Sequence, residues 1–193
     1  MDADGQNSEQ RAEDFTRLFE DSFDDVFRFC ARRAPVARAE DIAAEALATA
    51  WRRFETLPVA RSDQRAWLFT TARHILLRDE RNEGRRRAFT IALGPGHLVD
   101  VPGVDGEAAT RADLGRAWAR LSSVHQEALA LTVWEGLSAE EAASVLDISP
   151  VAYRLRLSRA RKVLRAQLGV PSRTSQRPRP HPTARKQAPE ATP

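Results

Sequence analysis

Between positions 154 and 165 the chain carries Arg154, Arg156, Arg159, Arg161, Lys162 and Arg165, with no acidic residue among them. Cations gathered on one helix are the electrostatic footprint of a polyanion partner. A guanidinium can bond a guanine edge bidentately, or hold a phosphate without reading sequence. Helical spacing puts Arg154, Ser158 and Arg161 on an outward row, with Arg156, Arg159 and Lys162 beside it. Val151, Leu155, Ala160, Leu164 and Leu168 are the expected inward side. A second basic stretch, residues 73–87, sets Arg73, His74, Arg78 and Arg81 behind Trp67 and Phe69. Aromatic rings beside cations suit unstacked single-stranded bases. A tryptophan at helical spacing is more often core, so Trp67 is assigned to the core and the following basic residues to nucleic acid.

Other chemistry finds little support. His74, His97, His125 and His181 stand in four unrelated contexts without metal-ligand spacing, and Cys30 is the one cysteine. Cys30 falls on an apolar stripe and reads as a small buried hydrophobe. The segment GPGH lacks the strand-to-helix setting and the lysine of a phosphate loop. No enzyme activity, metal, cofactor or small-molecule substrate is expected. The acidic, polar start MDADGQNSEQ is no secretory signal, and no apolar run approaches the ~20 residues of a spanning helix. A cytoplasmic protein is therefore expected. The net charge of +3 conceals segregation: residues 1–27 hold nine acids against Arg11 and Arg17, the reverse of the two basic stretches.

The positioning elements are helices. Phe15, Leu18, Phe19, Phe23, Val26, Phe27 and Cys30 recur at three- and four-residue steps. A second stripe over 39–54 comprises Ile42, Ala43, Leu47, Ala50, Trp51 and Phe54, leaving Asp41, Glu45 and Arg52 elsewhere on that helix. Pro58 and residues 61–64 read as a loop, and a third helix starts near Arg65. Residues 88–106 have the Gly and Pro punctuation of a linker and only acidic charges. Helices resume near Glu107, and one over 124–134 ends at Gly136, which suits a left-handed cap. Ser138 with Glu141 forms a capping box, and Ser149-Pro150 a second helix start. Helix, short turn and basic helix make a helix-turn-helix, for which a plain helical hairpin is the alternative.

The expected fold is all-α, with two small helical domains on a flexible linker. The expected divisions are a disordered start over 1–13, a first domain over 14–87, an acidic linker over 88–106, a helix-turn-helix domain over 107–169 and a disordered basic tail over 170–193.

In this order the parts resemble an extracytoplasmic-function (ECF) sigma factor of the sigma-70 family, a bacterial transcription initiation factor. AEDIAAEALATAWRRF looks like its polymerase-binding helix and WLFTTARHILLRDERNEGRR like its −10-reading helix. The stretch from LSSVHQEALAL to KVLRAQL looks like the −35-reading fourth region. The resemblance implies that Asp41, Glu45 and Arg52 contact the clamp helices of the largest core RNA polymerase subunit. It places Arg73, His74, Arg78 and Arg81 on −10 DNA, and the loop over 56–64 around a flipped base. Arg154, Arg156, Ser158, Arg159, Arg161 and Lys162 fall to −35 DNA. The linker corresponds to a segment that threads toward the RNA exit channel. Many members are held by an anti-sigma factor, a further expected partner.

The chain departs from the family pattern at Ala44, where Gln is frequent, and at His74 and Arg78, where Asn and Asp are frequent. Val151-Ala152-Tyr153 stands for a common Gly-Thr-Val. Two other readings compete: a stand-alone helix-turn-helix regulator using residues 107–168, and a competitor that holds the polymerase clamp without opening promoters.

Overall fold

The computed structural model describes residues 3–82, 91–93 and 108–169. Three helices make a first unit: α1 (Ala3–Ala31), α2 (Val36–Arg52) and α3 (Arg61–Asn82), with a 3-10 turn at Phe54–Thr56. Four make a second: α4 (Ala108–Ala119), α5 (Ser123–Val133), α6 (Ala139–Leu146) and α7 (Pro150–Gln167). Regular structure among the described residues is entirely helical, as the periodicity predicts. No helix among them is long and apolar enough to cross a membrane.

In the first unit α1 buries Leu18, Ser22, Val26, Phe29 and Cys30. The alanines of α2 (Ala39, Ala43, Ala46 and Ala50) are fully buried and let neighbouring helices approach closely. Phe29 and Phe69 of α3 stack with centroids 5.0 Å apart, joining α1 to α3. The acids of α1 serve this unit: Asp21 pairs with Arg61, and Asp25 Oδ2 accepts from Arg65 Nε at 2.8 Å.

Two expectations at the ends of these helices are corrected. Residues 3–13, expected to be disordered, form the opening turns of α1. Arg11 holds them down: its guanidinium lies 4.6 Å from the Trp51 ring centroid and donates to the Trp51 carbonyl at 2.9 Å. Residues 61–64, expected to be loop, are the first turn of α3. Asp63 sits in that turn, where a carboxylate complements the helix dipole.

The second unit follows its local signals closely. Ser122 caps α5, accepting from the His125 amide, and Gly136 turns the chain at φ +62°. Both halves of the Ser138–Glu141 capping box are present. Asp147 ends α6 in the left-handed conformation at φ 53°, and Ser149 caps α7 with Pro150 at its first position. One reading fails: Val151 and Leu155 do not face inward. The buried stripe of α7 is Tyr153, Leu157 and Ala160. Tyr153 is drawn in because its hydroxyl is satisfied there, donating to the Ala128 carbonyl at 2.8 Å and lying 2.7 Å from Thr132 Oγ1. Burial pushes its phenol up from the ordinary range.

The units pack on each other, α3 against α6. Arg32 and Arg33, in the turn after α1, donate to Glu135 at the end of α5 at 2.9 and 3.2 Å. All three are buried. Of the linker expected over 88–106, residues 91–93 are described and the rest lies outside the described residues, as does the tail over 170–193. Ile91 is buried between the units. Its amide donates to Gln126 at 3.1 Å, and its carbonyl accepts from Trp118 Nε1 at 2.8 Å. The Ala92 amide donates to the Arg32 carbonyl at 2.9 Å.

Candidate nucleic-acid interface

The helix-turn-helix is α6, the turn at Asp147–Ser149 and α7. Its outward face follows from the buried stripe. With Tyr153, Leu157 and Ala160 inside, residues 154, 158, 159, 161 and 162 are exposed and Arg156 is half-buried. The expected row of Arg154, Ser158 and Arg161, with Arg159 and Lys162 beside it, is thus open to a partner. Arg154 pairs with Glu140 across the motif, which ties α7 to the first turn of α6. A cationic helix presented by a capped turn can enter a major groove and bond base edges and phosphates.

The basic side chains of α3 are not presented in the same way. Arg73 Nε donates to Glu127 Oε1 of α5 at 2.8 Å, and both side chains are largely buried. Arg78 Nη2 donates to both oxygens of Glu45 at 2.9 and 3.0 Å. A residue expected on DNA and one expected on polymerase are therefore paired with each other. His74 and Arg81 are exposed. On α2, Asp41 accepts from Arg38 at 3.4 Å, Arg38 Nε also reaches Asp79 at 2.7 Å, and Arg52 donates to Thr49 Oγ1 at 2.8 Å. Trp51, expected in the core, is 39% exposed beside them, with Phe15 edge-on at 5.0 Å.

A cavity of about 570 Å³ opens between α1 and the loop before α3, lined by Leu18, Ser22, Phe54, Leu57, Pro58 and Gln64 among others. Its apolar and amide lining is ringed by charge of both signs, Asp14, Asp21 and Glu55 with Arg17, Arg61 and Arg65, and it can take a planar polar group such as a base. On the other side of that loop, a space of about 330 Å³ separates Pro58, Asp63 and Trp67 from Glu140, Glu141 and Ser144 of α6. Arg73 of α3 thus meets Glu127 of the second unit, whereas Arg78 meets Glu45 of the first.

Sequence reasoning missed the residues that hold this arrangement: Arg32, Arg33, Glu127 and Glu135. Arg33 also donates to the Phe29 carbonyl at 2.8 Å and lies 3.6 Å over that ring. Its Nε and Nη2, with Arg32 Nε, find no hydrogen-bond partner among the described residues. Burial pulls the Arg33 guanidinium down from its ordinary range, against the charge of Glu135. Burial likewise pushes the Cys30 thiol up to about 12, so Cys30 is an inert core residue, as its place on the apolar stripe predicts.

Known proteins resemble the chain in the same two parts. Residues 18–86 match the family model for sigma-70 region 2, and residues 111–164 that for sigma-70 region 4. The ECF RNA polymerase sigma factor SigC of Mycobacterium tuberculosis is 35% identical over 147 residues, covering 74% of this chain and 76% of the relative. The ECF RNA polymerase sigma factor SigL of the same species is 31% identical over 134 residues, covering 68% and 75%. Among solved structures, the sigma factor RpoE of Bartonella quintana, in complex with the anti-sigma factor NepR, superposes with a TM-score of 0.61 at 25% identity. That match covers 82% of this chain and 98% of the other.

Proposed function

The chain belongs to the ECF RNA polymerase sigma factors of the sigma-70 family, and on that premise we propose how its residues divide the work. The helix-turn-helix unit reads duplex −35 DNA through Arg154, Arg156, Ser158, Arg159, Arg161 and Lys162. The first unit docks on core polymerase through Asp41, Glu45 and Arg52. It holds melted −10 DNA through Arg73, His74, Arg78 and Arg81, with a flipped base in the cavity between Leu57 and Gln64. The observation that carries this reading is the exposed cationic row on α7, set by a capped turn and backed by a buried stripe.

No covalent step is involved. Base capture offsets part of the unstacking energy, a few kcal/mol per flipped base. Because Arg73 is engaged by Glu127 and Arg78 by Glu45, the units must separate to free Arg73, and α2 must find its polymerase partner to free Arg78. The protein acts in the cytoplasm as a regulatory subunit without catalysis of its own. Its likeness to a sigma factor seen with NepR supports an anti-sigma factor as a further partner.

The test is in vitro transcription: core polymerase with and without this protein on genomic DNA, with RNA 5′ ends sequenced. New starts that share two upstream elements are expected. Arg159→Ala should weaken −35-dependent starts while core binding holds. Asp41→Ala with Glu45→Ala should weaken retention of the protein by core polymerase in a pull-down. Equal loss of both properties in Arg159→Ala would overturn the division of roles.

A further inference from the structure

The amino-terminal half of the outward face of α7 has an apolar centre. Val151 is 72% exposed and Leu155 51%, more than any other large apolar residue described in the second unit. At 3.6 residues per turn, Val151, Leu155, Ser158 and Lys162 share one face, opposite the buried Tyr153, Leu157 and Ala160. Arg154 and Arg161 fall to one side of that ridge and Arg159 to the other. The flanking cations call for a polyanion, and the ridge between them calls for something in that polyanion without charge. In a major groove, the apolar group that a base pair offers is the C5 methyl of thymine. The ridge also lies in the amino-terminal half of the helix, the half that meets base edges in this motif.

We infer that Val151 and Leu155 are specificity residues that read thymine methyl groups in the −35 element, while the flanking arginines hold guanine or phosphate. The inference rests on the −35 reading of α7 and names what that helix selects. The four-residue step from Val151 to Leu155 advances ~6 Å, roughly two base-pair steps of ~3.4 Å. The two side chains therefore reach different base pairs, within about three positions of each other. Contact removes water from both the exposed side chains and the methyl groups, so it selects T·A without a new hydrogen bond.

Deoxyuridine tests this directly, because it lacks only the methyl. Holoenzyme assembled from core polymerase and the full chain would first select its −35 element from a randomised promoter pool. Thymine is expected at two nearby positions. Replacing either thymine by deoxyuridine should weaken open-complex formation about four-fold, the affinity that one buried methyl group carries. Leu155→Ala should abolish the penalty at one position and Val151→Ala at the other. Both side chains are exposed, so these variants should keep their helical circular dichroism. The inference is overturned if no thymine is selected, or if the deoxyuridine penalty persists undiminished in both variants. If randomising the upstream element does not alter start-site choice at all, the −35 reading itself fails, and this inference fails with it.

Discussion

Glu135 is the residue on which the packing of the two units turns. Its carboxylate is 2% exposed and takes one hydrogen bond from each of Arg32 and Arg33. Removing one member of a buried ion pair costs ~3–5 kcal/mol, because the remaining charge is left without compensation. In Glu135→Ala two guanidinium groups are left so. Arg33 already has two nitrogens without a hydrogen-bond partner among the described residues. The short route to water is separation of the units. A cost of 3 kcal/mol shifts that equilibrium by a factor of roughly 150. Small-angle scattering should therefore show Glu135→Ala with a larger radius of gyration than wild type, at unchanged helical circular dichroism. A companion variant separates charge from shape. Arg32→Met, Arg33→Met and Glu135→Leu together remove the charges but keep the volume, and such apolar replacements of buried ion networks are often neutral or stabilising. This variant should stay compact. Scattering of Glu135→Ala identical to wild type, or equal expansion of both variants, would refute the reasoning.

Three more outcomes are expected. With its thiol pushed up to about 12, first by burial, Cys30 should resist iodoacetamide at pH 8 in the native protein and react in guanidinium chloride, as read by intact mass. Burial pushes the Asp25 carboxyl up, but hydrogen bonds and charge from Arg28 and Arg65 outweigh it and leave the group below the usual carboxylate range. The stability it adds is present above that range and lost as pH falls through its folded value. Asp25→Asn should therefore lower the urea midpoint at pH 6, with the difference fading as the two proteins are compared at falling pH. Ser138→Ala removes one half of the capping box and should cost about 1 kcal/mol, visible in a thermal melt.

What was legible in the sequence was local. Ser138 with Glu141, Ser149-Pro150 and Gly136 each act within four residues, so the helix-turn-helix could be read from spacing alone. The inward face of α7 could not, because two apolar stripes compete there. Val151 and Leu155 look as good as Tyr153 and Leu157 until Ala128 and Thr132 supply partners for the tyrosine hydroxyl. The start of α1 is illegible for a similar reason: nothing in its polar composition announces that Arg11 will lie on Trp51, forty residues on. The contact between the units was invisible. Arg32 and Arg33 sit in a turn where arginine is ordinarily solvated, and Glu135 precedes a glycine that reads as a surface cap. Their pairing spans 102–103 residues and leaves no periodic trace.

The Arg73–Glu127 pair gives salt two opposed effects. On the proposed reading, Arg73 must exchange a carboxylate of its own chain for a phosphate of melted DNA. Every phosphate neutralised releases condensed counterions, so added salt weakens the protein–DNA side of that exchange. The same salt also screens the attraction that must first be broken, although less strongly because both side chains are largely buried. Promoter engagement through this arginine should accordingly fall less steeply with ionic strength than engagement through the exposed cations of α7. Within one polypeptide, the downstream and upstream halves of a promoter would be held by bonds of unequal salt sensitivity.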